Sequence, residues 1–160
     1  MIFVSVGTHE QDFSRLIKTL DGLKGNGVIR EDMLMQTGFS LYEPQNCRFK
    51  KIFCYDDFVR LVEQSRIFIT HGGPGSIFLG LRSGKIPIVV PRYRSLGEHV
   101  DDHQVHFARY LESVNRVLAV YEIDKLAACV SQYDLLAERC STEDRQADIS
   151  SLVCKLEAFT

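Results

Sequence analysis

Short apolar runs rich in Ile, Val and Phe recur along the chain, and an amphipathic stretch separates each from the next. That alternation constrains the fold more than any other feature. Strands joined through helices lie parallel, and a parallel sheet has to be covered on both faces. The first run, Ile2-Phe3-Val4-Ser5-Val6, stops at Gly7 and reads as a buried strand. Phe13, Leu16, Ile17, Leu20 and Leu23 follow at helical spacing until Gly25-Asn26-Gly27. Met33 to Gln36 is the second strand, and Phe39 to Asn46 a loop. Ile52 to Tyr55 is the third strand, with Asp56 capping a helix that carries Phe58, Leu61 and Val62. Ile67 to Thr70 is the fourth, and a helix from Ser76 to Ser83 ends at Gly84.

Ile86 to Pro91 is the fifth strand, with its prolines near the ends, where they are tolerated. Arg92 to Val100 is a polar loop, and Asp101 or Asp102 opens a helix bearing Val105, Phe107, Ala108 and Leu111. Val117 to Val120 is the sixth strand. The remainder, Glu122 to Phe159, reads as two helices. Six strands predict an α/β fold with a doubly wound, Rossmann-like parallel sheet whose ligands sit at the carboxyl ends of the strands. No repeat, linker or low-complexity run divides the 160 residues. They read as a single domain, with a core over 1–120 and helices over 121–160.

Composition narrows the function. A net charge of −2 argues against a nucleic-acid binder led by a strongly basic face. No apolar run approaches the roughly 18 residues of a transmembrane helix. The start, MIFVSVGTHE, lacks the basic region of a secretion signal and reads as a strand of the mature fold. The five cysteines, Cys47, Cys54, Cys129, Cys140 and Cys154, form no CxxC pair. They read as reduced thiols of a cytoplasmic protein.

Three loops carry chemistry. Between the fourth strand and its helix lies His71-Gly72-Gly73-Pro74-Gly75-Ser76. A helix start offers unpaired N–H groups and a dipole that favours an anion, and glycines allow a phosphate close to the backbone. Ser76 would cap the helix or donate to a phosphate oxygen; the alternative is a tight turn without a ligand. The pattern is neither a P-loop nor GxGxxG. The second loop, PRYRSLGEHVDDHQ over 91–104, gathers carboxylates and an amide suited to sugar hydroxyls and arginines suited to phosphate. One of Asp101 and Asp102 serves only as a cap. His99 and His103 stand four apart, but no HExxH pattern supports a metal site. The third loop runs Gly7-Thr8-His9-Glu10-Gln11. His9 is a candidate general base, since imidazole titrates near neutrality; a plain connecting loop is the alternative.

These loops, in this order, resemble glycosyltransferase family 28, in its C-terminal, nucleotide-sugar-binding half. The matching stretches are FVSVGTHEQDFSRLI (3–17), THGGPGSI (70–77), GKIPIVVPR (84–92) and EHVDDHQ (98–104). The chain is similar to the small stand-alone subunits of two-part transferases: the dolichol-linked N-acetylglucosaminyltransferase subunit and, more nearly, bacterial capsule and exopolysaccharide galactosyl- or glucuronosyltransferase subunits. The resemblance implies half of a GT-B enzyme that binds a UDP-sugar as substrate, with no metal and no other cofactor.

Residue by residue, it implies Gly72, Gly73, Gly75 and Ser76 on the diphosphate, with His71 beside them. Tyr55 to Phe58 would present backbone to uracil. Asp102, His103 and Gln104 would lie near the donor sugar, with Gln104 on its hydroxyls. Gly7, Thr8, His9 and Glu10 would face the cleft, and Arg92 would help to stabilise the leaving group. Many family members carry a glutamate after the glycine turn to hold the ribose. Leu79 stands there in this chain, followed by Gly80, so the ribose passes to another residue, with Glu98 the candidate.

The expectation is the donor-binding subunit of an inverting hexosyltransferase. It would work with a membrane-anchored partner that carries the acceptor half, on a lipid-diphosphate-linked acceptor in capsule or exopolysaccharide synthesis. The base is His9 or a residue of the partner. The chain would be cytoplasmic, peripheral at the inner membrane face through that partner, and able to self-associate when alone. The rival is a non-catalytic activating or scaffolding subunit, which would need no intact glycine turn. A free-standing dinucleotide enzyme ranks last, for want of GxGxxG after the first strand.

Overall fold

A computed structural model describes residues 1–140. Six parallel strands form one sheet in the order β3-β2-β1-β4-β5-β6. They are β1 (Ile2–Ser5), β2 (Met33–Gln36), β3 (Arg48–Lys50), β4 (Ile67–Thr70), β5 (Ile88–Val89) and β6 (Leu118–Ala119). Helices α1 (Ser14–Gly25), α2 (Tyr55–Gln64), α3 (Pro74–Arg82), α4 (His103–Ser113), α5 (Leu126–Ser131) and α6 (Tyr133–Arg139) join and follow them. Short 3₁₀ turns lie at Arg94–Leu96 and Ile123–Lys125. Of the two helices expected over Glu122 to Phe159, the part beyond Cys140 lies outside the described residues. No described helix is long and apolar enough to cross a membrane.

Side chains of a strand point alternately to the two faces, and both faces are buried. Ile2, Val4, Met33, Met35, Ile67, Ile69 and Ile88 pack against Leu16, Ile17 and Leu20 of α1, with Leu126 and Val130 of α5 and Tyr133 of α6. On the other face Phe3 and Phe68 meet Val62 of α2, and Val89 meets Ile77 and Leu81 of α3 with Ala108 and Leu111 of α4. Helices thus cover both faces, as in a doubly wound fold.

The third strand differs from the sequence reading. Arg48–Lys50, not Ile52–Tyr55, pairs with β2, and all three residues are exposed. An edge strand needs only backbone partners on one side, so polar residues serve. The apolar run is apolar for another reason: Phe53 closes the end of the core, its ring 5.9 Å from that of Phe3. Tyr55 already belongs to α2, whose cap is Cys54, so Asp56 lies in the first turn and does not cap. Likewise α3 begins at Pro74, not Ser76, with Gly73 as its cap. Proline suits that first position because its missing N–H has no intrahelical partner there.

Candidate functional site

Strand β1 lies between β2 and β4, and β2 and β4 lead away from it in opposite directions across the sheet. At such a switch point the connecting loops diverge and leave a crevice beyond the carboxyl ends of the strands. A cavity of about 420 Å³ opens there. Gly7 and Thr8 after β1, Gln36 at the end of β2, and His71, Gly73, Pro74, Gly75 and Ser76 after β4 form its polar wall. Phe53, Tyr55 and Phe58 form an aromatic wall. Phe58 is anchored by Phe3, ring centroids 5.4 Å apart.

The start of α3 is the cationic pole of the cavity. Its first amides have no intrahelical acceptor, and the Gly73 cap has no side chain to offer one. The glycines divide by what surrounds them. A Cβ at Gly75 would meet nothing within 4 Å. A Cβ at Gly72 would come within 2.6 Å of Gln104 Cβ, and one at Gly73 would collide with His71 Nε2. The bareness of Gly72 and Gly73 therefore makes room for neighbouring side chains; only Gly75 leaves open space.

His71 is wedged between Gly7 and Gly73. Its Nδ1 lies 3.3 Å from Thr70 Oγ1. Burial, reinforced by the Arg92 charge, pushes its pKa down to about 3, so the cavity wall presents a neutral imidazole.

The loop after β5 is held from inside. The Arg92 guanidinium donates to the carbonyls of Gln11 (2.7 Å), Glu98 (3.0 Å) and Val6 (2.8 Å) and stacks on Phe13 at 4.6 Å. Burial lowers its pKa to about 10, which leaves it charged at neutral pH. It clamps the loop after β1 to the loop after β5 and is not among the cavity-lining residues. Glu98 is buried, pairs with Arg15 at 2.8 Å and accepts the Tyr93 N–H at 3.0 Å. Gln104 Oε1 accepts the N–H groups of Gly72 (3.1 Å) and Arg92 (3.2 Å). The structure thus engages Arg92, Glu98 and Gln104 in holding loops together.

His9 is just beyond the cavity lining, its ring 4.6 Å from that of His99. Its Nδ1 accepts the Gln11 N–H at 3.3 Å. Burial first, then the neighbouring His99 and Arg92, lowers its pKa, which favours the unprotonated form a base needs. Asp102 is the cap residue of α4 and accepts the Arg94 N–H at 3.1 Å. Asp101 bridges His99 and His103, each Nδ1 lying 3.1 Å from a carboxylate oxygen. The His103 side chain is 79% exposed. Among the described residues no group of three or more His, Cys, Asp or Glu side chains is placed to share a metal ion.

Sequence reasoning missed Gln36, Phe53 and Pro74. Gln36 had a legible signal, a polar residue ending a buried strand. Its Oε1 accepts the Phe53 N–H at 3.4 Å, which ties the aromatic wall to the sheet.

Comparison with solved structures places this fold among the C-terminal domains of GT-B glycosyltransferases. A kitacinnamycin glycotransferase superposes with a TM-score of 0.65 at 22% identity, over 98% of this chain and 39% of that one. The glycosyltransferase SnogD from Streptomyces nogalater superposes with a TM-score of 0.62 at 21% identity, over 99% of this chain and 43% of that one. The chain therefore spans about two fifths of these neighbours. The model of the glycosyltransferase family 28 C-terminal domain matches residues 1–154, and the chain belongs to that family. No curated protein matches it.

Proposed function

We propose that this chain is the donor-binding subunit of a two-component inverting glycosyltransferase that takes a hexose from a UDP-sugar. The observation that carries this reading is the open start of α3 at Gly75 and Ser76, facing a cavity with an aromatic wall. The diphosphate lies against the α3 amides, where backbone N–H groups and the helix dipole favour negative charge. Uracil lies against the Tyr55–Phe58 side.

In the reaction the acceptor oxygen attacks the anomeric carbon, and the bond from that carbon to the diphosphate oxygen breaks. The electron pair leaves with UDP, where the α3 dipole stabilises the developing charge. The acceptor proton passes to His9 or to a base of the partner. Arg92, Glu98 and Gln104 serve by fixing the loops around the donor, and exposed His103 meets the sugar or the second subunit.

The acceptor half comes from a membrane-anchored partner, and the acceptor is a lipid-diphosphate-linked saccharide of capsule or exopolysaccharide synthesis. The resemblance to the small subunits of two-part transferases supports this division of labour. The chain works in the cytoplasm, peripheral at the inner membrane face. Calorimetric titration with UDP, UDP-galactose, UDP-glucuronate and UDP-N-acetylglucosamine tests the donor role. Binding with a sugar preference is expected. Failure to bind UDP, alone and with the partner, would return the chain to a scaffolding role.

A further inference from the structure

The run Arg48-Phe49-Lys50-Lys51-Ile52 is exposed at every residue. Among the described residues, none of its three cations lies in an ion pair. Phe49 is 37% and Ile52 46% exposed. The loop after β2 lies against this run, since Gly38 N–H donates to Lys51 O at 2.8 Å and Thr37 N–H to Lys50 O at 3.1 Å. That loop adds Phe39, 55% exposed, and Leu41, 84% exposed.

We propose that this edge, with Phe39 and Leu41 at its rim, docks directly on an anionic lipid surface. The apolar tips are held out on a braced frame. Asp12 accepts the Leu41 N–H at 2.9 Å. Asp21 accepts the Tyr42 hydroxyl at 2.8 Å, the Gln45 N–H at 3.0 Å and the Asn46 N–H at 2.7 Å. The loop therefore does not need to be ordered on docking.

Edge protection alone accounts for Arg48 and Lys50, since charges keep an edge strand from pairing with other chains. It does not account for four large apolar side chains beside them. The same charges and the three-residue length of β3 disfavour a protein partner adding a strand. A fluid bilayer needs no complementary pocket: apolar tips enter the interface while the cations meet anionic headgroups. Glu43 and Asp56 are the exposed acids that flank the patch in sequence. Tyr55, on the cavity wall, follows Ile52 by three residues, so docking sets the cavity mouth beside the bilayer. The value of that placement for a lipid-linked acceptor rests on the proposed function; the docking itself does not.

Co-sedimentation of the full chain with vesicles tests the proposal, using phosphatidylcholine alone and phosphatidylcholine mixed with phosphatidylglycerol. Sedimentation with the anionic vesicles only is expected, weakening as salt is added. Arg48→Glu/Lys51→Glu, which spares Lys50 over the ring of the cavity-lining Phe53, should weaken it by roughly a hundredfold or more, since each basic residue near such a surface contributes about fivefold. Phe39→Ser/Leu41→Ser should weaken it at least about tenfold. Each variant should keep the wild-type unfolding midpoint and UDP titration, so that loss of docking is read apart from loss of fold or donor site. Equal binding to neutral vesicles, no binding to anionic ones at low salt, or unchanged binding by Arg48→Glu/Lys51→Glu would each overturn the proposal.

Discussion

The His71 imidazole occupies the space that a side chain at Gly7 would need. A Cβ built on Gly7 falls 2.5 Å from the His71 ring, and Gly7 itself has φ +75°. Two loops from neighbouring strands are thus fitted to one another through a ring and a missing side chain. Gly73 completes the slot from the other side.

Gly7→Ala and Gly73→Ala should each destabilise the chain, by roughly 2 kcal/mol or more, because the ring has packed neighbours and little freedom to move. Gly7 adds the strain of a left-handed backbone; Gly73, at φ −72°, does not. Denaturant unfolding checks both. Combining Gly73→Ala with His71→Ala should recover part of the loss, as expected for residues in contact. Full additivity would mean that the ring does not set the requirement.

Gly75→Ala separates binding from folding. The site is open, and alanine favours a helix over glycine, so stability should change by no more than about 1 kcal/mol. UDP affinity should fall at least about tenfold, because the methyl group stands where the phosphate approaches. Calorimetry and an unfolding curve on the same preparation give both numbers.

How far the sequence reaches is visible in this turn. Its place at a strand-to-helix junction is legible, because an apolar run, three glycines and an amphipathic run are adjacent in the chain. The use of two of those glycines is not, because His71 and Gln104 meet them only through tertiary packing. Arg92 and Glu98 show the same limit. Residue type suggested phosphate and ribose; partners as distant as Val6 and Arg15 absorb both side chains. The third strand is not legible either, because burial and strand pairing usually coincide, and at an edge they separate.

Stability should fall as pH drops below about 6.5, and His71 supplies the slope. Above that value the ring is neutral in both folded and unfolded chains. Below it the unfolded chain takes up a proton that the folded ring refuses until about pH 3, so unfolding gains by up to about 1.4 kcal/mol per pH unit. His9, also lowered, adds in the same direction. His71→Asn should make the profile shallower between about pH 5.5 and 6.5, above the range where carboxylates titrate. An unchanged slope in that variant would locate the titrating group elsewhere.

Gln104→Ala strands the amides of Gly72 and Arg92. Two buried donors without acceptors should cost roughly 2–6 kcal/mol, at about 1–3 kcal/mol each. Gln104→Glu keeps an acceptor oxygen in either protonation state and should recover part of it. Unfolding midpoints of the three proteins check the order.

His9→Ala should lower turnover of the assembled enzyme by roughly a hundredfold or more and leave UDP affinity near wild type. Full turnover would mean that His9 is not the base.

The central claim is that the α3 start holds a diphosphate. Calorimetric titration of the chain with UDP and with uridine, repeated on Gly75→Asp, tests it most directly. UDP should bind at least about tenfold more tightly than uridine, and Gly75→Asp should abolish that difference with the unfolding midpoint unchanged. Equal affinity for UDP and uridine, or a difference that survives Gly75→Asp, would contradict the account.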